Sequence, residues 1–141
     1  MNTPALTLYF DGKCPFCRAG MARLAGWDRH NRLAFVDISS PGFDPGQLGV
    51  DAAAVNRELY VRRADGRLLK GLEGITAAYQ AVGQGWRVLW MRLPLLRRVM
   101  SVLYLLFARH RLFMSRVLGY RAPVCEDGVC PMPPGLGERK P

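Results

Sequence analysis

The period of apolar and polar positions changes several times along the chain, and each change marks an element. Residues 5–10 (ALTLYF) run apolar and end on two aromatics, which predicts a β-strand. Asp11-Gly12-Lys13 is a turn signal. Pro15 suits the first position of a helix, where its missing N–H costs nothing. Met21, Leu24, Ala25 and Trp27 then recur at helical spacing, with Arg18 and Arg23 elsewhere on the helix, and His30-Asn31 closes the unit. Residues 33–38 (LAFVDI) predict a second, buried strand, reached through a helix as in a right-handed parallel β-α-β unit.

Pro41, Gly42, Pro45 and Gly46 make residues 39–49 a loop, and residues 50–56 predict at most a short helix. Residues 59–63 and 67–70 predict a third and a fourth strand, joined as a hairpin through Ala64-Asp65-Gly66. Residues 71–74 lead into a helix carrying Ile75, Ala78, Tyr79 and Val82. Residues 86–118 are helical by composition, with Pro94 opening a new helix. Its apolar stripe, Leu95, Leu96, Val99, Met100, Leu103, Leu106 and Phe107, is expected to cover the sheet, and Trp86, Trp90 and Met91 are expected in the core. Arg97, Ser101, Tyr104 and Arg111 lie off the stripe. The Pro- and Gly-rich segment 122–141 reads as a tail. The organisation expected is a single domain over 1–121, with a core at 5–83 and a helical extension at 86–118.

Length and charge sharpen this picture. At 141 residues the chain suffices for one compact domain. The net charge is +9, and all but Lys13, Lys70 and Lys140 of the basic residues are arginine. No acidic residue falls between Glu73 and Glu126, whereas Arg87, Arg92, Arg97, Arg98, Arg109, Arg111, Arg116 and Arg121 do. Such a segment is either a solvated helix face or is drawn to an anionic partner, among which a phospholipid surface is a candidate. Nucleic acid is not expected, because the aromatics sit in apolar contexts instead of being interleaved with the arginines. No secretory signal is visible, and the longest uncharged apolar run, residues 99–108, is too short to span a bilayer. The expectation is a cytoplasmic protein, soluble or peripheral to a membrane, in which cysteines serve catalysis or metal binding more often than a disulfide framework.

The chemistry lies in the cysteines. Cys14 and Cys17 follow the first strand, and Pro15 makes Cys14 the helix cap. Its sulfur then meets the free N–H groups of the first turn and the positive end of the helix dipole, with Lys13 alongside. Such surroundings favour the thiolate, the attacking species in disulfide exchange. Cys17, one turn inside and expected to be the less exposed, is the resolving thiol. Asp11 is either a proton acceptor for Cys17 or a turn residue bonding the backbone ahead of it. Cys125 and Cys130 flank an Asp-Gly turn signal. They read as a second redox pair, as co-ligands with Cys14 and Cys17 of one zinc ion, or as thiols without a specific role. His30 and His110 have no companions at ligand spacing. No cofactor-binding motif is present; the glycines are scattered through turns.

Phe10-Asp11-Gly12, Cys14 and Cys17, the Asp65-Gly66 hairpin, the Gly-rich entry to the helix at 71–78 and the Arg-bearing helical C-terminal region together resemble the DCC family of predicted thiol-disulfide oxidoreductases, named for a D-x-x-C-x-x-C motif. The resemblance spans roughly residues 5–120. It implies a thioredoxin-like α/β fold, β-α-β-α-β-β-α, with Cys14 as nucleophile and Cys17 as partner. The proposed exchange cycle, read from the thiols themselves, calls for a disulfide-containing protein or small molecule as substrate and an external thiol reductant. One departure from the wider thioredoxin pattern is the absence of a proline at 55–58, before the third strand. The alternative class is a zinc-binding or membrane-surface interaction module that uses the cysteine pairs and basic helices without redox catalysis.

Overall fold

The computed structural model describes residues 4–121, 123–127, 130–131 and 133. The expected irregular tail at 122–141 therefore lies largely outside the described residues, as does Gly128 of its turn signal.

The sheet has four strands, β1 (Leu6–Phe10), β2 (Leu33–Asp37), β3 (Tyr60–Arg63) and β4 (Leu68–Lys70), in the order β2-β1-β3-β4. β1 pairs parallel with β2, Leu8 against Phe35, and antiparallel with β3, Leu8 against Val61. All five β1 residues are buried, because neighbours flank this strand on both edges and both of its faces are covered. Leu6, Leu8 and Phe10 point to one face. There they meet Met21, Leu24 and Ala25 of helix α1 (Pro15–Trp27) and Ala78 of helix α3 (Gly71–Ala81). Tyr9 points the other way, into a smaller cluster with Leu48, Val55 and Tyr60, closed by the 3-10 helix Pro45–Leu48 and helix α2 (Ala52–Arg57). This is the thioredoxin-like α/β arrangement that the element order implied.

Polar side chains fix the joints. Buried Asp28 caps the end of α1, and its two carboxylate oxygens accept the N–H groups of Arg32 and Leu33, both at 2.9 Å. That directs the chain into β2. The anticipated entry to α3 is shorter than expected, since the helix begins at Gly71 itself. Its φ of 55° is left-handed, which a glycine adopts without the clash of a Cβ.

The C-terminal region departs most from expectation. Residues Gly85–Arg92 form a 3-10 helix, followed by α4 (Pro94–Arg109) and α5 (Arg111–Val117). The three-residue period of the 3-10 helix turns Gly85, Val88 and Met91 inward and leaves Trp86 and Trp90 outside, 68% and 41% exposed. The tryptophans are thus not core. Arg87 lies between the Trp86 and Trp27 rings, 4.8 and 5.0 Å from their centroids. Nor does the whole α4 stripe cover the sheet. Leu96, Met100 and Phe107 are partly buried, while Leu95, Val99, Leu103 and Leu106 are exposed. The partly buried series on α4 is Leu96, Met100, Tyr104 and Phe107, centred roughly a third of a turn round from the exposed one.

Tyr104 sets that rotation. Its hydroxyl accepts the Leu59 N–H at 2.8 Å, which ties α4 to the entry of β3, the place where the sequence lacks a proline. The Tyr104→Phe protein is expected to lose about 1–2 kcal/mol of stability in urea denaturation, since the Leu59 N–H is left without its acceptor.

Candidate active site

The site forms where β1 ends and α1 begins. Gly12 donates its N–H to Asp37 Oδ1 at 2.8 Å, and a Cβ on Gly12 would run into that carboxylate. The turn therefore packs against the end of β2 only because residue 12 has no side chain. Asp11 Oδ1 accepts the Lys13 N–H at 2.9 Å, the turn role considered for it from sequence.

Cys14 is the N-cap of α1, with Pro15 at the first helical position. Its Sγ accepts the Cys17 N–H at 3.3 Å, and its carbonyl accepts the Arg18 N–H at 3.0 Å. Both sulfurs are free thiols. Their exposure reverses the sequence expectation: Cys14 has no exposed surface, and Cys17 is partly exposed. The reason is α5. Ser115, itself buried, places its Oγ 4.0 Å from Cys14 Sγ. Phe16, between the cysteines, stacks edge-on against Phe107 and Tyr120, with ring centroids 4.6 and 5.7 Å away.

A second residue of α5 completes the site. Arg111 Nη2 lies 2.6 Å from Asp11 Oδ2, an ion pair largely withdrawn from solvent. Lys13, by contrast, is exposed. Ser115 and Arg111 stand one helical turn apart, so a single face of α5 addresses both the thiol and the carboxylate. Sequence reasoning missed both. Arg111 was one arginine among many, and the helical spacing 104-107-111-115 becomes a signal only once one member is known to face inward.

These contacts drive the two thiols apart. Cys14 is lowered to about 6, chiefly by its hydrogen bond from the Cys17 thiol, against the opposing effect of burial. The Cys17 N–H, the Ser115 hydroxyl and the Arg111 charge lower it further. Cys17 is raised, first by that same hydrogen bond to Cys14, then by burial and by repulsion from the Cys14 charge. Burial likewise raises Tyr104 to about 12, so it stays a neutral phenol beside the pair.

Cys17, but not Cys14, borders a cavity of about 260 Å³ whose wall includes Phe10, Met21, Leu59, Tyr104 and Phe107, with Arg111 and Asp11 among its polar groups. Cys125 and Cys130 are joined as a disulfide, with Cα atoms 4.2 Å apart. Among the described residues no hydrogen bond links that pair to Cys14 or Cys17, and no group of three or more His, Cys, Asp or Glu side chains is gathered to hold a metal. The single zinc site for four cysteines is not formed.

The strand-cap-helix dithiol on a thioredoxin-like sheet defines a class, and comparison with known proteins defines the family. The profile of the DCC1-like thiol-disulfide oxidoreductase family matches residues 8–117, and the chain belongs to that family. It is also similar to an uncharacterized chloroplastic protein of Arabidopsis thaliana, 29% identical over 109 residues. Those residues cover 76% of this chain and 51% of the relative, so the chain spans about half of that protein's length. No solved structure is a significant match.

The α5 contacts make two measurable contributions. With Cys125 and Cys130 replaced by serine, the thiolate absorbance of the reduced protein at 240 nm should rise in a step centred near pH 6. Cys14→Ser should abolish that step, and Ser115→Ala and Arg111→Met should each move it to higher pH. Arg111→Met should also destabilise the fold by about 3 kcal/mol, because the Asp11 carboxylate is left without its partner. Adding Asp11→Asn should recover part of that loss in a denaturation cycle.

Proposed function

We propose that the protein is a dithiol-disulfide oxidoreductase in which Cys14 attacks and Cys17 resolves. The observation that carries this reading is the cap: a sulfur at a helix N-terminus that accepts an N–H and is held toward the thiolate at neutral pH. The Cys14 thiolate attacks one sulfur of a substrate disulfide, forming a mixed disulfide and releasing the other sulfur as a thiolate. Cys17 then loses its proton and attacks the Cys14 sulfur. The second substrate sulfur leaves, and a Cys14–Cys17 disulfide remains. Two electrons pass to the substrate, and an external thiol reductant restores the dithiol.

The opposed shifts time these steps. Cys17 holds its proton mainly because it hydrogen-bonds a charged Cys14. Once Cys14 is bonded to substrate, that charge is gone and Cys17 ionises more readily. In this scheme Asp11, whose charge acts on Cys17, takes the proton, while its ion pair to Arg111 keeps it in place. Because Cys14 is covered and Ser115 of α5 lies against it, its attack requires α5 to give way. The exposure of Cys17 favours a second reading for the oxidised enzyme. An incoming thiolate reaches Cys17 from the cavity, and Cys14, the more acidic thiol, leaves. Cys125 and Cys130, joined as a disulfide, are a candidate second two-electron couple.

Trapping tests the first reading. Incubated with a small aromatic disulfide, Cys17→Ser protein should accumulate a mixed disulfide seen by mass spectrometry, and Cys14→Ser should not at neutral pH. Adduct formation on Cys17 in the Cys14→Ser protein, with none on Cys14 in the other variant, would invert the assignment. Asp11→Asn should retain attack and slow release of the second thiol.

A further inference from the structure

The dithiol site uses one face of the C-terminal helices, and the other face is apolar and open. On α4, Leu95, Val99, Val102 and Leu106 recur at i, i+4, i+7 and i+11, with Leu103 beside them, and all are exposed, Leu95 at 76% and Val102 at 66%. α5 exposes Leu112, Phe113 and Val117, and the preceding 3-10 helix exposes Trp86, Leu89 and Trp90. Single exposed apolar residues need no explanation, but stripes of them at helical spacing mark a surface that meets something.

The charge says what. Arg98 and Arg109, eleven residues apart, run along one border of the α4 stripe, and exposed Arg92, Arg97 and Arg116 stand on the same elements. The segment between Glu73 and Glu126 supplies no carboxylate of its own to neutralise them. A second copy of the chain would bring arginine rows against arginine rows, at a net charge of +9 on each partner. Nucleic acid would match the charge and leave the leucines and valines in water.

We propose that this face docks on a bilayer surface containing anionic phospholipid. The leucine and valine stripe enters the boundary between head groups and acyl chains, the tryptophans sit at head-group depth, and the guanidinium groups bond lipid phosphates. No helix among the described residues is long and apolar enough to cross a membrane, so α4 lies along the interface. The proposal rests on the surface alone and is independent of the dithiol chemistry.

Co-sedimentation of the full chain with large vesicles tests it, comparing phosphatidylcholine alone with phosphatidylcholine containing phosphatidylglycerol, at low and at physiological salt. Binding to the anionic vesicles should be roughly ten-fold or more the stronger, should weaken with salt, and should shift tryptophan emission to shorter wavelength. Val99→Glu/Leu106→Glu and Arg98→Glu/Arg109→Glu should each lower it roughly ten-fold or more. Both variants should keep the wild-type Cys14–Cys17 midpoint potential, which shows that they fold. Absence of binding at low salt, equal binding to neutral vesicles, or undiminished binding by the folded Val99→Glu/Leu106→Glu protein would overturn the proposal. So would a concentration-dependent dimer, seen by light scattering without vesicles and lost in that variant, which would assign the face to a second copy.

Discussion

The ion pair between Asp11 and Arg111 joins the turn after the first strand to the start of the last helix, across a hundred residues of sequence. The carboxylate charge acts on Cys17, where it opposes ionisation. Paired with Arg111, it becomes the anchor that brings a cation to the dithiol, and α5 arrives with it. Ser115, one turn further along, then covers Cys14. Arg111, the first residue of α5, is partly buried like Leu96, Met100, Tyr104 and Phe107 of α4, so the two C-terminal helices turn these residues inward together. Tyr104 secures the same rotation from the other end, at the mouth of β3.

The result is a cysteine pair whose members are made unlike by their surroundings. The interaction between the two thiols does most of this, since it favours charge on Cys14 and the proton on Cys17. The helix cap decides which sulfur is favoured, because only Cys14 faces the N–H groups of the first turn. Covering Cys14 adds a cost to its ionisation, which the Ser115 hydroxyl and the Arg111 charge counter. Activation and concealment therefore come from the same helix, and movement of α5 would alter both together.

The first half of the chain was legible because its signals are local. The strand at β1, the proline that opens α1, the parallel crossover to β2 and the Asp65-Gly66 hairpin are each set by neighbours in sequence, and the family motif Asp11, Cys14 and Cys17 lies within a single turn and cap. The C-terminal helices were legible as helices and not as packed objects. α4 is apolar over much of its circumference, so its composition allows several rotations. The stripe drawn from sequence straddled the boundary between the buried and exposed faces. The tryptophans lie outside for a related reason: composition marks Gly85–Arg92 as helical, and it is the 3-10 period that turns Val88 inward instead of them.

The sequence by itself determined the reaction chemistry available, since a proline after a cysteine at a strand end makes a helix-capping sulfur with a second thiol one turn away. It also determined the concentration of arginine without carboxylate over residues 74–125. Only the tertiary structure decided which arginine serves the dithiol, which sulfur is covered and which leucines are left in water. Those outcomes depend on how a helix a hundred residues away is rotated against β1. That rotation is fixed by two long-range polar contacts, at Arg111 and Tyr104, which no local period encodes.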